Sequence, residues 1–350
     1  MKKLLTILPD LSGGGAERVA VNFIRQLDQN SFNQTLVIFQ ERDDLLVLIP
    51  DHVQVKNLNT IKTSRSFFAL LKLLRREKPD VIFTTHSRVA TLLSVLRPFL
   101  PAFRHIARMQ NTPSLEKKNR AYSVLRRNLY AMGFRKADLV VAQTELMKKD
   151  AIELFGVVTD KVRVLPNPVD VLFVKESLEG IVSPFPSGQL IAVASGRLTY
   201  QKGFDVLLPA LERVLVTYPQ LKVYILGRDD GMEYRLKELS MIFGLDDIVT
   251  FLGHQSNPFP FYKYCDVFIS SSRWEGFPNA LLENYYLNTP IVATRCVPVI
   301  EELIEEGVNG ALCNPNDQVG LASAIERGLT ITRSDIQNPP YSGGRFETLI

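Results

Sequence analysis

The chain has 350 residues, 46% of them hydrophobic and 22% charged, a composition that excludes disorder and is long enough for two cores rather than one. Its three cysteines, Cys265, Cys296 and Cys313, lie far apart, with no C-x-x-C and no nearby pair of histidines. That argues against a disulfide framework or a structural zinc site and for a reducing, cytoplasmic compartment. Net charge is +4 but unevenly placed, since residues 1–180 hold 28 Lys and Arg against 18 Asp and Glu, and residues 181–350 hold 13 against 19. The first half is therefore basic, which suits nucleic acid or an anionic membrane surface, and no recognised nucleic-acid module is present to favour the former.

The opening apolar run at residues 4–8 stops at Pro9-Asp10, too short for a signal peptide or a membrane span, and reads as a first strand. Next comes "LSGGGAERVAVNFI" (11–24), three glycines and then a helical pattern with Val19, Phe23, Ile24 and Leu27 on one face. Glycine admits positive φ and close approach to its backbone, so the run reads either as an anion-binding strand-to-helix junction or as a tight turn. It is neither G-x-G-x-x-G nor a P-loop.

Apolar strands and helical segments then alternate. In the first half the strands read "KLLTIL", "QTLVIF", "VQVKNL", "DVIFTT", "HIARM" and "DLVVAQT", and in the second "LIAVASG", "KVYILG", "IVTFLG", "DVFISSS", "PIVAT" and "GALCN". This pattern predicts α/β architecture with parallel sheets. "RSFFALLKLLRREK" (65–78) and "LLSVLRPFLPAF" (92–103) mix basic and apolar residues, as in a helix lying on a bilayer or in a core helix with a basic rim. "LPNPVDVLFVKESLEGIVSPFPSGQ" (165–189) is proline-rich and aperiodic and reads as a linker. The expected organisation is a first domain over 1–165, a linker over 166–189, a second domain over 190–335 and a tail over 336–350. Two Rossmann-like, doubly wound domains would face a central cleft with the C-terminal ends of their strands.

Two stretches of the second half carry chemistry. "GRLTYQKGFD" (196–205) places Arg197 and Lys202 at a strand end, a fork and a point charge suited to a diphosphate. "SSSRWEGFPNALLENYYLNTPIVAT" (270–294) places Glu275 before Gly276-Phe277-Pro278 and Glu283 in the helix that follows. With Pro278 in the first turn, the N–H groups of Asn279, Ala280 and Leu281 would point at an anion. The two carboxylates would then meet sugar hydroxyls on either side of it.

Gly14-Gly15-Ala16-Glu17-Arg18, Gly196-Arg197 with Lys202-Gly203, and the frame from Glu275 to Glu283 together resemble glycosyltransferase family 4, the group 1 glycosyltransferases. The resemblance extends from Leu4 to about Ile325. It implies the GT-B fold and a retaining, metal-independent enzyme that needs no cofactor beyond its nucleotide-sugar co-substrate. It further implies that Gly14 and Gly15 offer N–H groups to the diphosphate, and that Arg197 and Lys202 neutralise the leaving group. Glu275 would hold the donor sugar and Glu283 the ribose, with Gly253-His254 at the base and Gly276, Phe277, Asn279, Ala280 and Leu281 lining the donor site.

On this reading the enzyme moves a hexose or N-acetylhexosamine from a UDP-sugar to a lipid-linked or growing saccharide in bacterial surface polysaccharide synthesis, including lipopolysaccharide. It would be peripheral on the inner face of the cell membrane. His86, Gln110 and Asn111 are the acceptor-side candidates. Gln110 stands where many relatives carry a histidine, and a glutamine cannot take up a proton. "LGRDDGMEY" departs from the family's glycine pattern, and the tail is short for a last helix that in relatives crosses back to the first domain. A sugar-nucleotide epimerase of GT-B-like fold and an inactive nucleotide-binding scaffold subunit are the competing readings.

Overall fold

The computed structural model describes residues 1–12, 14–40, 45–60, 66–118, 124–339, 341, 343–344 and 346–349. Gly13, the first of the glycine run, and Arg65 lie outside the described residues. The chain divides into two compact units, Met1–Pro168 with Ser342–Ile350, and Val169–Tyr341.

The first unit is a seven-stranded parallel sheet of β1 (Lys2–Leu8), β2 (Phe32–Ile38), β3 (Gln54–Asn57), β4 (Val81–Thr84), β5 (Arg104–Arg108), β6 (Leu139–Ala142) and β7 (Val162–Val164). Their spatial order is β3-β2-β1-β4-β5-β6-β7. The connecting helices include α1 (Gly15–Gln26), α2 (Phe67–Glu77), α3 (Ser87–Leu96), α4 (Pro113–Lys118), α5 (Val124–Arg135) and α6 (Glu145–Glu153). Side chains alternate across β1: Leu4 and Leu8 pack with Val19, Phe23 and Ile24 of α1, while Leu5 and Ile7 pack with Leu70, Leu73 and Leu74 of α2 on the other face. The two-sided burial explains why residues 4–8 of β1 read as an apolar run broken only by the buried Thr6.

β7 has no counterpart among the strands expected from the sequence. It is three residues long, at the sheet edge, and interrupted by exposed Arg163, so it lacks the apolar run that marks the others.

The segment after residue 341 rejoins this unit. Phe346 is fully buried, its ring 5.4 Å from that of Phe23 and edge-on to it, and the Gly344 N–H donates to the Pro166 carbonyl at 3.1 Å.

Both amphipathic stretches are core helices with polar rims. α2 buries Leu70, Leu73 and Leu74, and α3 buries Leu92, Leu93 and Leu96. Phe68 at 78%, Phe99 at 53% and Val95 at 43% exposure nonetheless face outward. Lys72, Arg75 and Arg76 are exposed on the same side of α2 as Phe68, and Arg75 Nε donates to the Phe99 carbonyl at 3.1 Å.

The second unit is a six-stranded parallel sheet of β8 (Leu190–Ser195), β9 (Leu221–Leu226), β10 (Val249–Gly253), β11 (Val267–Ser270), β12 (Ile291–Thr294) and β13 (Gly310–Cys313), in the order β10-β9-β8-β11-β12-β13. Its helices include α7 (Val171–Glu176), α8 (Phe204–Thr217), α9 (Glu233–Ile242), α10 (Phe259–Tyr264), α11 (Asn279–Tyr286), α12 (Val299–Leu303) and α13 (Gln318–Leu329). The expected linker over 166–189 is corrected here. α7 lies within it, and Val174 and Phe185 are buried in this unit's core against Phe259 and Leu281. The prolines punctuate a packed segment, and the change of unit falls at residue 168.

Strand order reverses at β1/β4 in one unit and at β8/β11 in the other. In a doubly wound sheet the helices leave such a pair toward opposite faces, so the loops at the C-terminal ends open a crevice that takes ligands.

Candidate active site

The loop after β8 runs through Gly196, Arg197 and a 3-10 turn at Tyr200–Lys202 to Gly203, which opens α8. Gly203 has φ +65°, and a Cβ there would run into the Ser271 carbonyl oxygen. Only glycine combines that backbone with that approach. Its neighbour across the crevice is the loop after β11, with Ser272, Arg273, Trp274 and Glu275 all buried.

The two loops are joined by several bonds. The Arg273 N–H donates to the Gln201 carbonyl at 2.7 Å, Gln201 Nε2 to the Trp274 carbonyl at 2.9 Å, and Ser271 Oγ to the Lys202 carbonyl at 2.9 Å. This brings Lys202 Nζ to 2.6 Å from Glu275 Oε1, the same oxygen that accepts Ser272 Oγ at 2.6 Å. The Lys202 stem lies against Gly196. Glu275 is 6% exposed, so this is an ion pair shielded from bulk water at the mouth of the sheet. Beside it, burial and then the Glu275 charge push the Cys296 thiol up to about 12, which leaves it a neutral wall rather than a nucleophile.

Arg197 is half-exposed, and its Nη1 donates to Asp230 Oδ2 at 3.1 Å. The unusual "RDDG" sequence thereby has a structural reading. Asp230 orients Arg197, while Asp229 Oδ1 accepts the N–H groups of Gly231, Met232 and Glu233 at the start of α9. Those bonds, that of Glu233 foremost, hold the Asp229 carboxyl below its usual range.

Gly253 ends β10, and the exposed His254 follows it. Gly276 and Phe277 are buried ahead of α11, and Glu283 is half-buried on that helix. One expectation needs correction. Pro278 stands at the N-cap rather than in the first turn, and the Asn279 N–H folds back onto the Phe277 carbonyl at 3.0 Å instead of pointing outward. Ala280 and Leu281 remain the first-turn amides for which an α-helix supplies no internal acceptor.

In the first unit, Gly14 is the N-cap of α1 with φ −70°, so positive φ is not what requires glycine here. A Cβ on Gly14 would collide with the Glu17 carboxylate. Glu17 Oε1 lies 3.1 Å from His86 Nε2 across the β1/β4 switch, and His86 Nδ1 meets Thr85 Oγ1 at 3.0 Å. Burial alone would raise the Glu17 pKa, but the hydrogen bond and charge of His86 outweigh it and leave the carboxyl below its usual range. Gly15 begins α1.

Gln110 is half-buried just beyond β5, and Asn111 Nδ2 donates to Glu116 Oε1 of α4. Under them Arg108 is fully buried, its Nη2 donating to Asn167 Oδ1 at 2.6 Å. Burial depresses its pKa to about 9, which the Glu17 charge partly offsets. The structure thus gathers Lys202 and Glu275 in one unit, and Gly14, Glu17 and His86 in the other. Sequence reading missed Arg273, Asp205 and Ser272 as parts of the site, and missed Glu17 as the partner of His86. All four lie inside the motifs already singled out, where the neighbouring glycines, Lys202 and Glu275 carry the stronger signal.

Among the described residues, no group of three or more His, Cys, Asp and Glu is clustered as a metal site requires, and no helix is long and apolar enough to cross a membrane.

Two family models match consecutive parts of the chain. Residues 13–172 fit the Glycosyltransferase Family 4 model and residues 179–336 the Glycosyl transferases group 1 model. An uncharacterized glycosyltransferase of Methanocaldococcus jannaschii is 29% identical over 75% of this chain and 64% of its own, so the chain spans just under two thirds of that relative's length. The Campylobacter jejuni N-acetylgalactosamine-N,N'-diacetylbacillosaminyl-diphospho-undecaprenol 4-alpha-N-acetylgalactosaminyltransferase is 27% identical over 94% of this chain and 90% of its own. Among solved structures, Anabaena HepE in complex with UDP-glucose superposes with a TM-score of 0.77 at 20% identity, over 96% of this chain and 93% of that one. At that identity the likeness speaks for the fold, the two-sheet GT-B architecture. By its motifs, its paired parallel sheets and both family models, the chain belongs to the group 1, family 4 glycosyltransferases and is a glycosyltransferase.

Proposed function

We propose that this transferase moves a hexose or N-acetylhexosamine, with retention, from a UDP-sugar to a lipid-linked or growing saccharide acceptor in surface polysaccharide synthesis. The observation that carries the reading is the Lys202–Glu275 pair, two opposite charges 2.6 Å apart at the β8/β11 switch although 73 residues separate them in the chain. A cation beside a carboxylate there suits a ligand with a diphosphate on one side and hydroxyls on the other. Lys202 and Arg197 neutralise the leaving diphosphate, and Glu275 accepts from the sugar hydroxyls. Glu283 faces the ribose and Gly253-His254 the base.

In the transfer step the bond from the anomeric carbon to the diphosphate breaks and the acceptor oxygen bonds to that carbon. The departing phosphate oxygen takes the acceptor's proton, so no protein base is required. The two cations and the first-turn amides of Ala280 and Leu281 supply the charge stabilisation a metal would otherwise give. A lipid-linked acceptor is supported by the name of the Campylobacter relative, and a UDP-sugar by the ligand of the Anabaena structure.

Calorimetric titration of metal-free protein with UDP, GDP and ADP tests the donor assignment. UDP is expected to bind selectively, and Arg197→Ala to weaken it about tenfold, the scale of one charge-assisted hydrogen bond. Binding that requires added divalent metal, or no binding to any of the three, would overturn it. Conversion of the UDP-sugar to an isomer with no acceptor present would identify an epimerase.

The acceptor side is assigned to His86, Gln110 and Asn111 at the end of the first sheet. Phe68 and Phe99, with Lys72, Arg75 and Arg76 around them, suit docking on the anionic inner face of the cell membrane, where rings insert and cations meet headgroups. Phe68→Ser with Arg76→Glu is expected to lower co-sedimentation with phosphatidylglycerol vesicles at least fivefold, with no change on neutral phosphatidylcholine vesicles. Unchanged sedimentation would remove this face from the reading.

A further inference from the structure

Arg273, two residues before Glu275, is the most heavily bonded side chain at the β8/β11 switch. Nη1 and Nη2 grip the two oxygens of Asp205 at 2.7 and 2.9 Å. Nη1 also donates to the Tyr200 carbonyl at 2.6 Å, and Nε donates to Asn316 Oδ1 at 2.6 Å. The guanidinium carbon sits 3.8 Å over the Tyr200 ring. One N–H of Nε, two of Nη1 and one of Nη2 are thus engaged, leaving at most one of five for any ligand. Arg273 is built to hold protein, not substrate.

What it holds is specific. Asp205 lies in the first turn of α8 and Tyr200 in the turn that carries Lys202, while Arg273 shares the loop that carries Glu275. Its fork therefore sets the spacing between the elements that present the two charged groups of the donor site. A lysine could keep the charge but not the two-pronged grip or the stacking.

We propose that Arg273, through Asp205, is a positioning residue that fixes Lys202 against Glu275 and so tunes how the site receives a nucleoside diphosphate. This deepens the donor-site reading above and rests on it. If Arg273 acts through Lys202, its substitution matters only while Lys202 is present. A merely structural role would lower every property of the unit in parallel and would add to the Lys202 effect.

The test is a double-mutant cycle read as the Kd for UDP, with uridine, which lacks the diphosphate, as the control ligand. Arg273→Lys is expected to weaken UDP about tenfold and uridine less than twofold, and in a Lys202→Met background to weaken UDP by less than twofold further. Asp205→Asn keeps the side-chain size and is expected to repeat the pattern if Arg273→Lys folds poorly. Equal loss of UDP and uridine, a full additional tenfold in the Lys202→Met background, or wild-type affinity in both variants would each overturn the proposal. Wild-type protein that binds UDP with no response to Lys202→Met would instead overturn the donor-site reading on which it rests.

Discussion

Lys202→Met is expected to lower turnover about 10²- to 10³-fold, the scale that follows when a fixed group facing developing negative charge is removed from a shielded site. The ammonium is held 2.6 Å from Glu275 with four-fifths of its side chain covered, so on the proposed donor-site reading it is oriented before charge would grow on a departing diphosphate. Removing it also leaves the Glu275 carboxylate short of its counter-charge, which destabilises the unit by up to about 3 kcal/mol. The two effects separate in the double variant Lys202→Met/Glu275→Gln, in which both charges are gone. Thermal stability is expected to recover most of the way to wild type while turnover does not. Initial rates of UDP release and a melting curve on the same preparations decide the matter. A Lys202→Met rate within threefold of wild type would remove Lys202 from the chemistry.

Gly203→Ala is the second large effect, and it acts through the backbone. At φ +65° an alanine is strained by about 1 kcal/mol or more, and its Cβ would meet the Ser271 carbonyl carried by the facing loop. One of the two must move. Either movement pulls Lys202 from Glu275 and lengthens the bond from Ser271 Oγ to the Lys202 carbonyl. A loss of about 2–4 kcal/mol is expected, which lowers the melting midpoint of a unit this size by roughly 4–16 °C, with turnover falling more than the folded fraction does. A melting curve unchanged within 1 °C would show that the loops are not pressed together at this point.

Much of the fold was legible because both sheets are covered on two faces. β8, β11, β12 and β13 are short apolar runs buried along nearly their whole length, as strands covered on both sides must be. β7 escaped because three residues at an edge, one of them the exposed Arg163, need no such run. The segment at 166–189 was misread for a related reason. Val174 and Phe185 are buried by the surface they meet, and a proline-rich stretch without periodicity shows nothing of a distant surface. At the site, residue types were readable from charge and glycine content, but their use was not. Proline's preference for a helix's first turn points the Asn279 amide outward, whereas here Pro278 caps the helix and the amide turns back to Phe277.

Local composition and spacing encode the alternation of buried strands and amphipathic helices, the family, and which strand ends carry cations, carboxylates and glycines. Which of those ends become neighbours was decided only by the tertiary structure. Parallel strands joined by crossover helices place β8 beside β11, and β1 beside β4, with other strands intervening in the chain. Lys202 meets Glu275, Arg273 meets Asp205 and Glu17 meets His86 because strand order puts their loops on opposite lips of the same crevice, a relation that no local pattern in the chain encodes.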